Sequence, residues 1–241
     1  MIVYVVVAIV LSYLIWIKCI YCRQRPTLVK SLKRAINVLT SREINGDDIS
    51  ALLVTAHPDD ECMFFAPTII RLVELKANVH LLCLSEGNYY NQGAQRRQEL
   101  LNSCAVLGIP DCRITIVDHK KLPDDPKAEW SVSLVSSVIV HHMRAHSFNM
   151  VCQLHCCLLS LVTVGPLRKY ISFLELPFSW LQPACLRCII GSQGYRRAKD
   201  AMFCHRSQLL WFRYLYITFS RYMFVNTFQT IPQGPKNLKM Y

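Results

Sequence analysis

Residues 56–61 read Ala-His-Pro-Asp-Asp-Glu, which puts one imidazole, His57, and three carboxylates, Asp59, Asp60 and Glu61, within five residues. Imidazole nitrogen and carboxylate oxygen both ligate divalent metals such as zinc. A cluster of this kind can hold an ion and still leave one carboxylate to deprotonate its water. A structural reading stands beside the chemical one, in which Asp59 or Asp60 caps a helix and His57 is an ordinary loop residue. The crowding of ligand types in so short a stretch favours the chemical reading. Other ligand-type pairs are weaker. His142 and His146 have the i, i+4 spacing of a helical zinc pair, and Cys19 with Cys22 and Cys185 with Cys188 have the spacing of thiolate pairs. Lone histidines and cysteines in apolar runs are usually packed side chains, and the twelve cysteines read as mostly buried small hydrophobes.

The elements that must position the cluster follow a repeating pattern. Residues 51–56 (ALLVTA) form a short apolar run ending at the Pro-Asp-Asp turn, as expected of a buried parallel strand. Apolar side chains at helical spacing occupy 62–76, and 79–84 is strand-like again. A helix over 94–107 closes at Gly108 and Pro110, and 113–117 (RITIV) is a third strand. Alternation of this kind predicts an α/β fold, a Rossmann-like parallel sheet with helices on both faces, and places the cluster at a strand's carboxyl end, where such sheets bind ligands. Residues 120–127 hold two prolines and two aspartates and read as a surface loop. A helix is expected over 130–146 and a fourth strand over 150–154. The run 152–164 (CQLHCCLLSLVTV) has no periodicity. A strand over 185–190 and a helix over 195–204 are expected beyond it. Residues 205–228 mix Arg206, Arg213 and Arg221 with aromatics, which suits either a membrane interface or a buried helix.

The 241 residues suffice for one such domain, and the excess hydrophobicity, 52% of residues, is concentrated at the N-terminus. Residues 1–17 carry no charged side chain and are just long enough to span a bilayer. No basic stretch precedes them and no small-residue cleavage site follows, which favours an uncleaved anchor over a signal peptide. Lys18, Arg23, Arg25, Lys30, Lys33 and Arg34 follow the span, so the positive-inside bias leaves the domain in the cytosol. The expected organisation is an anchor at 1–22, a basic juxtamembrane linker at 23–50, a catalytic domain at 51–228 and a tail at 229–241. The net charge of +11 calls for an acidic partner. An anionic membrane lipid answers it, and no nucleic-acid-binding motif accompanies the charge.

The stretches AHPDDECMFFAP (56–67), GNYYNQG (87–93), LGIP (107–110), LRKYIS (167–172) and CHRSQLLWFR (204–213) resemble the LmbE-like, or PIG-L, deacetylase family. The resemblance is closest to its eukaryotic branch, which acts on N-acetylglucosaminyl-phosphatidylinositol. It implies hydrolytic removal of an N-acetyl group from that glycosylphosphatidylinositol precursor, a step in GPI-anchor biosynthesis at the endoplasmic reticulum membrane. It further implies a divalent metal cofactor, zinc, with His57 and Asp60 as ligands and Asp59 as the general base. Arg96 and Glu99 resemble an Arg-x-x-Glu feature near the family's substrate pocket, although such a pair on a helix is also an ordinary solvated face. The family completes its metal site with a His-x-x-His motif, which occurs nowhere in this chain. Seventeen residues, 151–167, separate Met150 from Arg168 and contain one histidine, His155, the first candidate for a replacement ligand, with Cys152 or Cys156 beside it. The domain therefore reads as shortened between 150 and 168, with the middle of the sheet incomplete. A catalytically inactive, membrane-bound or poorly folded variant is the alternative to an active deacetylase.

Overall fold

The computed structural model describes residues 1–37, 49–145 and 158–231. Helix α1 (Ile2–Asn37) opens the chain and runs through Pro26 without a break in the helix. Residues 2–16 are exposed apart from the half-buried Tyr13, and the helix is long and apolar enough to cross a membrane. From Ile17 onward one face turns inward. Ile17 and Ile20 pack in a small apolar cluster with Leu176, Ile189 and Val225, and Leu28 and Leu32 enter the main core.

The expected parallel sheet is present. Strands β1 (Ser50–Thr55), β2 (Asn78–Cys83) and β3 (Ile114–Ile116) lie in the order β1-β2-β3, with Thr55 opposite Cys83 and Cys83 opposite Ile116. The helical stretch between the first two strands divides into α2 (Asp60–Phe64) and α3 (Ala66–Glu74). Pro67 accounts for the division: its ring cannot continue the preceding helix, but is tolerated in the first turn of the next. Helix α4 (Gly93–Leu107) ends at Gly108, whose φ of 91° is the left-handed C-cap that glycine supplies. Helix α5 (Val132–Ala145) follows β3.

The second half departs from a single parallel sheet. Strands β4 (Leu159–Leu161), β5 (Leu186–Ile189) and β6 (Val225–Thr230) form a separate antiparallel sheet in the order β4-β6-β5. The ambiguous run 152–164 thus contributes β4. The aromatic-basic stretch is not one segment but a helix followed by the central strand β6. Between these strands lie α6 (Pro166–Lys169), α7 (Leu176–Leu181), α8 (Ser192–Cys204) and α9 (Trp211–Phe219).

Buried polar groups join the halves. Asn226 on β6 donates from Nδ2 to the Phe64 carbonyl (2.8 Å) and accepts at Oδ1 from the Thr68 amide and hydroxyl. It thereby caps the break between α2 and α3. Glu175, wholly buried, pairs with Arg168 and Arg221 and accepts from Ser179 Oγ at 2.6 Å, which binds α6, α7 and the turn before β6 together. Helices α4 and α8 pack through Leu100, Cys104, Leu107, Ala198, Ala201 and Met202, and Arg197 Nε donates to the Val106 carbonyl at 2.7 Å.

Of the nine described cysteines, all free, four are buried. Cys19, Cys22 and Cys112 are exposed, because two lie on the outer face of α1 and one in the turn before β3.

Candidate active site

The cluster sits where β1 ends and α2 begins. Asp59 occupies the N-cap position but makes no capping bond. It is held at φ 112°, a conformation that costs a non-glycine residue about 1–3 kcal/mol and that concentrates at functional sites. Asp60 braces the loop instead. Its Oδ2 accepts from the amides of Ala56 (3.1 Å) and His57 (2.9 Å), and the other carboxylate oxygen is not consumed by these bonds. Glu61 turns away from the cleft, its Oε2 accepting from the Asp59 amide and its Oε1 meeting Ser103 Oγ (2.6 Å) and His205 Nε2 (2.7 Å).

An open cleft of about 410 Å³ lies over the loop. It is lined by His57, Asp59 and Asp60, by Tyr89 and Tyr90 from the loop after β2, by Asp124 from the loop after β3, and by Arg96, Gln208 and Arg213. His57 Nε2 lies 3.0 Å from Asp124 Oδ1, and its ring is 5.6 Å from that of Trp130, whose indole N–H donates to the Pro123 carbonyl. Arg96 reaches the three loops that follow the three parallel strands. It donates to the Pro58 carbonyl (2.9 Å), the Gly87 carbonyl (3.0 Å) and Asp124 Oδ2 (2.8 Å). Glycine is required at 87, where φ is 72° and a Cβ would meet the Arg96 guanidinium at 2.5 Å. Arg96 is therefore buried rather than part of a solvated face.

Glu99 is also buried, but it does not line the cleft. It accepts from the Ser207 amide and hydroxyl (2.9 and 2.6 Å) and so fixes the turn that leads to α9. Arg213 on α9 returns to the cleft and donates from Nη2 to Asp59 Oδ2 at 2.6 Å. Burial pushes the Asp59 carboxyl up to about 6, against the lowering pull of Arg213, with Asp60 adding to the rise. Burial likewise raises Asp60, against the His57 amide. Burial alone would raise Glu61, yet His205 and its hydrogen bonds hold it below the ordinary value. His205 is correspondingly raised by Glu61, in spite of its own burial.

The donor chemistry fits a divalent ion that takes nitrogen and oxygen ligands, with His57 and Asp60 in one cleft and Asp124 adjoining His57. Among the described residues, Glu61, Cys62 and His205 form a tighter group, with ligand atoms within 4.8 Å of one another. All three are buried beneath the loop. Glu61 already accepts from the Asp59 amide, Ser103 and His205, and the Cys62 thiol points at the Asp59 carbonyl at 3.1 Å. That group is a hydrogen-bonded brace for Asp59. His155, Cys152, Cys156, His146 and the strand expected over 150–154 lie outside the described residues, while His142 is buried on α5. Asp124, Arg213 and the two tyrosines were not singled out as site residues in the sequence. The signals for them were the proline-flanked aspartates of 123–126 and the family-like stretches 87–93 and 204–213, which hold the two tyrosines and Arg213.

The fold and cleft define an α/β protein with an imidazole-and-carboxylate site at the carboxyl ends of its parallel strands. Residues 52–155 match the family described as PIG-L, GlcNAc-PI de-N-acetylase. The N-acetylglucosaminyl-phosphatidylinositol de-N-acetylase of Bos taurus is 41% identical over 211 aligned positions, which cover 76% of this chain and 83% of the bovine protein. Those positions outnumber the residues of this chain within them, so the bovine sequence has residues that this chain lacks. Probable de-N-acetylases of the same name from Schizosaccharomyces pombe (32% identical, 72% of this chain and 84% of that one) and Dictyostelium discoideum (27%, 79% and 97%) also align. The solved structure of N,N'-diacetylchitobiose deacetylase from Pyrococcus horikoshii superposes with a TM-score of 0.51 at 15% identity, over 83% of this chain and 91% of that one, a likeness of fold. The chain belongs to the PIG-L family of de-N-acetylases.

Proposed function

We propose that this chain hydrolyses the acetamide of N-acetylglucosaminyl-phosphatidylinositol, releasing acetate and a free amine, at the cytosolic face of the endoplasmic reticulum membrane. The observation that carries the reading is the cleft that unites His57, Asp59 and Asp60 at the end of β1, in a chain similar to enzymes of that name. His57 and Asp60 are the ligands for zinc, and His155 is the first candidate for a third protein ligand. Bound zinc supplies a lowered pKa for the attacking water and polarisation of the acetamide carbonyl.

Asp59 is the base that takes the proton from that water and returns it to the departing nitrogen. A buried carboxylate near 6 is largely ionised at neutral pH, and is a stronger base than a solvated aspartate. Arg213 keeps its oxygens aimed, and Glu61 fixes its backbone. Arg96 and Asp124 hold the cleft's walls together and offer polar partners to a sugar.

Acetate release from this lipid by membranes that lack their own deacetylase and express the chain is the test. Turnover is expected to be abolished by a chelator, by His57→Ala and by Asp59→Asn. A folded, membrane-inserted chain that binds the lipid without turnover overturns the catalytic reading in favour of a non-catalytic lipid-binding one. That second reading is favoured by the residues present in the bovine relative and lacking here.

A further inference from the structure

We infer that α9 lies on the bilayer as a second, interfacial membrane contact beside the α1 anchor. The helix is two-sided. Inward, Arg213 reaches Asp59, Tyr216 Oη donates to the Met63 carbonyl at 2.7 Å, and Ile217 is buried. Outward, Trp211 is 75% exposed, Leu215 50%, Phe219 48% and Phe212 45%. Four large apolar side chains on one short helix form a patch of the kind that marks an interaction surface, and tryptophan and tyrosine favour the boundary between lipid and water.

The occupant is argued from α1. Tyr13 lies inside the uncharged span, four residues before its end, which is about 6 Å of helix. Its hydroxyl donates to the Leu174 carbonyl at 2.5 Å. Whatever depth α1 adopts, the domain surface around Leu174 must therefore lie at the membrane. That surface carries the exposed Phe173, Leu174 and Phe178, and it runs on to α9 through packed rings: Phe173 against Phe224, Phe224 stacked on Tyr195, and Tyr195 Oη on the Ile217 carbonyl. Lys169 bridges the same gap over the Tyr216 ring. No acidic side chain follows Asp200, so this part of the chain opposes nothing negative to an anionic leaflet. With α9 in the headgroup layer, the cleft that its Arg213 lines opens beside the lipid surface.

The test uses the full chain in phosphatidylcholine vesicles doped with a lipid bearing a diazirine on its acyl chain, photolysed and mapped by mass spectrometry. Adducts are expected on residues 1–17 and on 211–219, and not on the exposed Arg97–Gln98 face of α4. Adducts on α1 with none on α9 overturn the inference while sparing the anchor. Adducts on neither overturn both. Replacing Trp211, Leu215 and Phe219 together by Gln alters only exposed positions, and should cut adducts at α9 by roughly tenfold while those at α1 persist. Undiminished labelling of the variant would mean nonspecific capture and would also overturn the inference.

Discussion

At the residue scale, the site depends on side chains whose shapes leave no slack. Gly87 is the sharpest case, since a Cβ there falls 2.5 Å from the guanidinium that holds three loops together. Gly87→Ala should cost about 1–3 kcal/mol from its positive φ and displace Arg96, which loosens Asp124. A lowered melting temperature together with a raised KM is expected; a fall in stability alone would show that Arg96 does not shape the cleft. Beneath the loop, Glu61 satisfies His205, Ser103 and the strained Asp59 amide at once. Glu61→Ala leaves a buried imidazole unpaired and should cost about 3–5 kcal/mol in denaturant unfolding, with Glu61→Gln costing less. What was legible at this scale were the ligand types themselves, gathered within five residues. Arg213, 154 residues from its partner Asp59, was legible as an arginine among aromatics at the end of a family-like stretch, but its pairing was not, because a contact made by tertiary folding leaves no local spacing to read.

At the element scale, the parallel strands and their helices were legible because each carries its own periodicity and its own stop signal, such as Gly108 after α4. The antiparallel sheet was not. Strand β4 is three residues long inside an apolar run, and β6 follows a helix without a turn of obvious composition. What secures β6 is a buried side chain, Asn226, that answers backbone groups of α2 and α3. Asn226→Leu keeps the branched shape but strips the Phe64 carbonyl and the Thr68 amide and hydroxyl of their partner. At about 1–3 kcal/mol for each buried group left unsatisfied, the variant should unfold at markedly lower denaturant. Hydrogen exchange should rise first in residues 60–74 and 225–230. Uniform exchange across the parallel sheet instead would mean that the two sheets unfold as one unit without this clamp.

At the scale of the whole molecule, the sequence presents α1 as an anchor and the domain as a separate body, and the packing contradicts that separation. Ile17 and Ile20 share a core cluster with Leu176 of α7, Ile189 of β5 and Val225 of β6, and Leu28 and Leu32 join the main core. One helix thus has two characters, an exposed apolar first half and a second half packed into the domain interior. The consequence can be measured with two substitutions of the same chemistry on that helix. Ile20, 2% exposed, is expected to cost about 2–5 kcal/mol when changed to Ala, because the cavity opens among α7, β5 and β6. Ile9, 64% exposed and facing outward, should cost under about 0.5 kcal/mol when changed the same way. Thermal unfolding of both variants in the same detergent tests the difference. A domain that melts unchanged with Ile20→Ala would show that α1 is a tether and nothing more. A large loss confined to Ile20→Ala would show that the fold, and the cleft it builds, depends on the second half of α1 and cannot survive its removal.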